Sequence, residues 1–204
     1  MPIDEAEGRG ETPPMPSDPE TLSFPPNGRV PNSRFPLLVH RGAISPGEDA
    51  EGALEAMFRG NGWLNNWRYP GIYDYAHFHS TTHEVLGVAR GQMTLQLGGA
   101  GRPDVEFSAG DVIVMPAGVS HSMVANSEDI AVVGGYPDGR DWDLMRDDRM
   151  TDEERHDAIK RIMSLPIPDR DPVTGTALQA WRETSSVVIY REWGIGDADR
   201  FTLS

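Results

Sequence analysis

From about residue 67 to residue 136 the chain breaks into short β-rich runs separated by glycine-bearing turns, at 69–79, 84–89, 93–97, 105–107, 111–115, 120–125 and 130–133. Strands this short cannot each build a core, so they have to close on one another as a barrel or sandwich. No βαβ alternation interrupts them, and no phosphate-cradling glycine loop accompanies them. The pattern predicts an all-β barrel over residues 67–136.

The flanks read differently. Residues 1–20 are rich in Pro, Glu, Asp and Ser; such a segment buries too little apolar surface to offset its ordering entropy, which predicts a disordered tail. Residues 21–66 read as an arm with one short helix. Its Pro-rich part, 24–38, is expected to lie extended on the surface. The helix is expected to start at Ser45-Pro46, to bury Leu54, Met57 and Phe58, and to close at Gly60-Asn61-Gly62. Residues 137–204 form an extension with one helix packed on the barrel, at 151–164. Thr151 and Glu154 make its capping box, and Ala158, Ile159, Ile162 and Met163 its apolar face.

The chain contains no cysteine, so a bound metal can be held only by imidazole nitrogen or carboxylate oxygen. A formal charge of −14 repels phosphate backbones and anionic lipid, which argues against nucleic-acid and membrane partners. The acidic start, without a basic stretch leading into an apolar run, predicts no secretory signal and a cytoplasmic protein.

Four of the six histidines fall between residues 77 and 121. If 69–79 is a strand, its period of two places Tyr73, Tyr75, His77 and His79 on one face. Glu84 opens the next strand after a polar turn, and His121 opens a later one after Pro116-Ala117-Gly118. A buried histidine on its own is usually a hydrogen-bonded core residue. Three imidazoles and a carboxylate at these spacings instead form a ligand set suited to Fe(II), Mn(II), Ni(II) or Zn(II). In an octahedral ion they leave two positions for water, substrate or dioxygen.

Beside Glu84, His83 is expected on the opposite strand face, because an inward Glu84 brings Leu86 and Val88 inward with it. Tyr73, Tyr75 and His83 are the candidates for positioning a substrate or transferring a proton. Arg68 and Arg90 read as solvated strand ends, Trp63 and Trp67 as core, and His156 as a surface residue. Asp141 and Asp143 offer no physical reason for a catalytic role.

The spacing of Gly71, His77, His79, Glu84 and Gly91 resembles the first motif of the cupin superfamily. Gly110, Pro116, Gly118 and His121 resemble the second, except that its closing Asn, expected at Ala125, stands one residue late at Asn126. Wider phrases, among them Asn61-Gly62-Trp63, Gly71-Ile72-Tyr73-Asp74 and Gly134-Gly135-Tyr136-Pro137, are similar to the YjlB-like bacterial cupins over residues 24–182. The resemblance implies a double-stranded β-helix, or jelly-roll, barrel with an extended N-terminal arm and peripheral helices. It implies one divalent transition metal ion per chain, Fe(II) foremost, and a small-molecule substrate. A dioxygenase is the leading expectation, because adjacent open positions can bring substrate and dioxygen together. A Lewis-acid isomerase, epimerase or decarboxylase comes second, and a non-catalytic ligand-binding or storage barrel third. Small cupins often pair, so a homodimer is a family expectation.

Overall fold

The computed structural model describes residues 18–184. The expected tail falls outside the described residues as far as residue 17, and so does the end of the C-terminal extension from residue 185. Nine strands run through the described part: Glu20–Leu22 (β1), Leu37–His40 (β2), Trp63–Tyr69 (β3), Glu84–Arg90 (β4), Gln92–Leu97 (β5), Asp104–Ser108 (β6), Val112–Met115 (β7), His121–Asn126 (β8) and Ala131–Pro137 (β9). Three helices accompany them, at Ala50–Gly60 (α1), Asp152–Ser164 (α2) and Gln179–Thr184 (α3). A six-stranded sheet in the order β1-β2-β7-β4-β9-β3 faces a three-stranded sheet in the order β6-β5-β8, and every named strand pair is antiparallel. This is the all-β jelly-roll barrel with peripheral helices. Among the described residues no helix is long and apolar enough to cross a membrane.

Strand alternation separates two apolar layers. Along β4, Leu86 and Val88 pack between the sheets with Leu37, Met93, Leu95 and Phe107, while Val85 and Ala89 pack outward beneath α1. Leu54 and Phe58 bury fully there, each contributing about 1.5–3 kcal/mol. A Cβ at Gly87 would stand 2.7 Å from Leu54, so the close seating of α1 depends on that glycine.

Several expectations need correction. The segment 69–79 is not a strand: Pro70 and Gly71 break it, and only isolated bridges at His77 and Phe78 remain. The strand lies earlier, at β3, where Asn65 takes a positive φ of 53° and the register to β9 shifts between Leu64 and Trp67. The surface arm of 24–38 ends in β2, which is wholly buried between β1 and β7. The stretch assigned to the tail likewise reaches into β1, which begins at Glu20. Ser45 does not cap α1; the helix begins at Ala50 after a turn through Gly47, a residue with poor helix propensity. The capping box of Thr151 and Glu154 on α2 is present. The extension carries a second helix, α3, whose buried Trp181 stacks on Phe35 at 5.1 Å and donates to the Pro36 carbonyl.

The loop before α3 is tied to the barrel by a buried pair. His40 Nε2 lies 2.9 Å from Asp171 Oδ2, while Asp171 Oδ1 accepts from the Val173 and Thr174 N–H groups. Burial opposes ionisation of Asp171, but the His40 hydrogen bond and charge and the two backbone donors outweigh it and hold the carboxyl below its ordinary range. A depressed folded value means that the stabilisation is complete above the unfolded carboxylate pKa, about 3.9, and is lost as pH falls through the folded value. Asp171→Ala is therefore expected to cost about 3 kcal/mol in urea unfolding at pH 7. The gap to the parent should hold down to about pH 5 and narrow below 3.9. A gap that stays constant through the acid range would contradict this.

Candidate metal centre

Although 69–79 is not a strand, its end lies along β8 as one. His77 and His121 exchange backbone hydrogen bonds at 3.2 and 2.9 Å, the Met123 N–H donates to Tyr73 O, and the Gly118 N–H donates to His79 O. This pairing sets the His77 and His121 rings side by side across the bridge, centroids 4.1 Å apart and planes tilted by 58°. Phe78, between the two ligand-spaced histidines, turns the other way and packs with Ala117 and Ile162 of α2. Alternation thus survives locally. Gly118, with a φ of 93°, keeps the turn tight, since a Cβ there would meet the Asn32 carbonyl at 2.3 Å.

Each of the three imidazoles uses Nδ1 in the same way. His77 donates to Tyr75 O at 3.0 Å, His121 to Val119 O at 3.0 Å, and His79 to Asp143 O. These bonds select the tautomer with a hydrogen on Nδ1, while Nε2 of His79 and of His121 stands 3.5 Å from Glu84 Oε2. One ring nitrogen from each histidine lies within 4.8 Å of those of the other two. All four side chains are buried.

Burial pulls His121 well below the usual imidazole range, and the neighbouring His77 and His79 lower it further. Burial lowers His77 as well. At His79 burial also opposes the charged form, but Glu84 and the Asp143 carbonyl more than offset it, and the net shift is upward. With two imidazoles held neutral beside a carboxylate, the donor set fits a divalent ion of borderline softness. His77, His79 and His121 are the residues that could hold one, and Glu84 adds the anionic oxygen.

The site forms the floor of a cavity of about 400 Å³. Trp67, Ile72, Tyr73, Tyr136 and Trp142 supply its apolar wall. Tyr73 lines it, stacked on Tyr75 at 4.9 Å with its ring edge toward His77. Tyr75 stands outside the lining, its ring under the Arg146 guanidinium at 4.5 Å. Arg68 is exposed near the end of β3, as expected, and also lines the cavity; its guanidinium meets Glu55 at 2.9 Å twice and Glu51 at 3.2 Å. Arg90 pairs with Glu51 too. His156 is exposed, as expected.

His83 has to be withdrawn as a proton-transfer candidate. It faces away from the cavity, accepts the Ala117 N–H at Nδ1 at 2.9 Å, and points Nε2 at Pro166 O, with its ring against Trp181. Burial holds it neutral, with a pKa pushed down to about 3. With both nitrogens engaged in structure, nothing is left for chemistry.

Three contributors were not anticipated. Tyr136 donates to Glu84 Oε1 at 3.1 Å and accepts from Trp67 Nε1 at 3.1 Å, so Oε1 is occupied while Oε2 faces His79 and His121. Burial and the Glu84 charge raise its pKa far above that of an ordinary phenol. The Trp67 indole reaches it by lying on Gly134, where a Cβ would come within 2.0 Å of the ring. A period-two reading of 130–137 would have placed Tyr136 inward with Val132 and Gly134. Asp143, which offered no reason for a role, clamps the turn between His79 and Glu84. Its carboxylate accepts from the Ser80 and Thr81 N–H groups and the Ser80 hydroxyl, and its carbonyl orients His79. Trp142 stands beside His79 with ring centroids 5.5 Å apart. No pattern in the sequence marks either of these two.

Comparison with known proteins agrees with the architecture. A family model described as a cupin domain matches residues 69–133. The chain is 36% identical over 162 residues to "Uncharacterized protein YjlB" of Bacillus subtilis, across 79% of this chain and 93% of that one. Among solved structures, an acireductone dioxygenase from Bacillus anthracis with cadmium in its active centre is similar at a TM-score of 0.39 and 14% identity, covering 54% of this chain and 83% of that one. A cupin-like protein from Thermotoga maritima gives 0.29 and 21%, covering 61% and 85%. These structural likenesses are too distant to bear on chemistry.

The placement of His83 yields a direct expectation. His83→Ala should destabilise the fold by about 2–4 kcal/mol in denaturant titration, through the void and the unpaired Ala117 N–H. Its metal content should equal the parent's. Loss of metal from folded His83→Ala would return that residue to the site.

Proposed function

Because the chain belongs to the cupin family, with YjlB as a relative along most of its length, we propose that it is a metal-dependent enzyme acting on a small organic molecule, and that Fe(II)-dependent dioxygenation is its reaction. The observation that carries this reading is the gathering of one ring nitrogen from each of three histidines within 4.8 Å at the floor of the cavity, with Glu84 Oε2 3.5 Å from two of them. When bound, Fe(II) supplies a Lewis-acidic centre and a redox couple toward dioxygen.

The chain's own residues do the rest. His77, His79, His121 and Glu84 hold the ion. Tyr136 occupies Glu84 Oε1 and so keeps the carboxylate on a single oxygen. Trp67, Ile72 and Trp142 exclude water and press the substrate toward the floor. A Lewis-acid isomerase or decarboxylase needs a group that moves a proton beside the ion. Outside the four proposed ligands, the described lining offers no imidazole or carboxylate for that task, and the Tyr73 hydroxyl is the candidate left, so proton transfer stays the second reading.

Protein purified without a histidine tag is expected to contain about one transition metal ion per chain by elemental analysis. His121→Ala should lose it while remaining folded by circular dichroism. Tyr136→Phe should weaken metal affinity by about 10–100-fold in a chelator competition, by freeing Glu84 Oε1. Oxygen-electrode traces of the iron-loaded protein should show uptake with at least one member of a panel of phenols and diketones. Full metal content in His121→Ala would refute the ligand assignment. No uptake from iron-loaded protein across the panel would count against dioxygenation and favour a binding barrel.

A further inference from the structure

The charge of the cavity wall constrains what can enter. Among the described residues its one cationic side chain is Arg68, already met by the Glu51 and Glu55 carboxylates at 2.9–3.2 Å. No other described Lys or Arg lines the cavity, so a carboxylate or phosphate held away from the ion would be desolvated without a counter-charge. The chain's formal charge of −14 adds long-range repulsion against polyanions.

Away from the four proposed ligands, five of the nine lining residues are aromatic: Trp67, Tyr69, Tyr73, Tyr136 and Trp142. Of the five large hydrophobic residues left exposed in the described chain, three, Tyr69, Tyr73 and Trp142, lie on this cavity. Aromatic surface gathered around a mouth is surface that a ligand covers. Trp67 and Tyr136 continue it inward to Glu84. At the floor, three imidazoles and one carboxylate would leave a divalent ion one negative charge short of neutrality. A ligand that ionises one oxygen supplies the missing charge.

We infer that the substrate is a flat aromatic or conjugated molecule with a single ionisable oxygen head group, such as a phenol or enol, and no second anionic group on its body. The head group sits at the ion and the body stacks between Tyr73 and Trp142. Dicarboxylates and phosphorylated compounds are excluded by the wall. This inference rests on the metal reading above and adds the substrate class.

The test compares two probes with the same head group. Full-length protein reconstituted with redox-silent Zn(II) is assayed for metal content and then titrated calorimetrically with catechol and with 3,4-dihydroxybenzoate, which adds only a remote carboxylate. Catechol is expected to bind at least about tenfold more tightly. Trp142→Ala, at an exposed position that the fold tolerates, should weaken catechol by about fivefold or more with metal content unchanged. Tyr73→Ala should act in the same direction. Equal or tighter binding of 3,4-dihydroxybenzoate overturns the substrate class and leaves the metal reading standing, as does unchanged catechol affinity in both variants. Failure of the parent protein to take up zinc overturns the metal reading, and this inference with it.

Discussion

Three hydrogen bonds from imidazole Nδ1 to backbone carbonyls, at Tyr75, Val119 and Asp143, underlie the whole site. Each fixes a tautomer and a ring plane together, and one ring nitrogen from each histidine stands within 4.8 Å of the other two. Two of the acceptors lie two residues before their histidines and come with the local backbone. The third, the Asp143 carbonyl, lies 64 residues away and exists only because the chain beyond β9 folds back over the turn after His79. The barrel, α2 and the crossing chain are therefore parts of one device.

The same device explains why the apolar layers are arranged as they are. Glu84 can stand on the floor of the cavity because β4 alternates, with Leu86 and Val88 filling the barrel beneath it and Val85 and Ala89 closing the layer under α1. Gly134 leaves room for the Trp67 indole, which bonds Tyr136, which bonds Glu84. A relay of two hydrogen bonds thus converts a missing side chain on β9 into the orientation of a carboxylate on β4. On the far side, Arg161 of α2 donates to Ser80, and the helix packs on Phe78, so the histidine-bearing segment is held from both directions.

Much of this was legible in the chain. The glycine-punctuated strands announced the barrel, and the spacing of His77, His79, Glu84 and His121 announced a cluster that the fold does bring together. The late Asn126 has a structural counterpart: β8 carries one extra residue, Val124, at a register shift against β5. What escaped depends on tertiary pairing. Trp63–Tyr69 reads poorly as a strand because Asn65 and Asn66 interrupt it, and it forms because β9 pairs with it across that irregularity. Residues 69–79 carry strong β propensity, yet Pro70 and Gly71 turn the chain, and only the bridge to β8 restores the face shared by His77 and His79. Tyr136 was within reach of alternation along β9. Asp143 and Trp142 were not, since a loop residue acquires its role from what the fold lays beside it.

The central claim is that three imidazoles and one carboxylate oxygen share a single ion. X-ray absorption at the metal edge, on protein loaded with one equivalent of Zn(II), reads that shell directly. The account predicts the multiple-scattering signature of three imidazole rings, with oxygen completing the shell, and loss of that signature in His77→Ala. A shell with one imidazole or none, or a spectrum unchanged by His77→Ala, would contradict it.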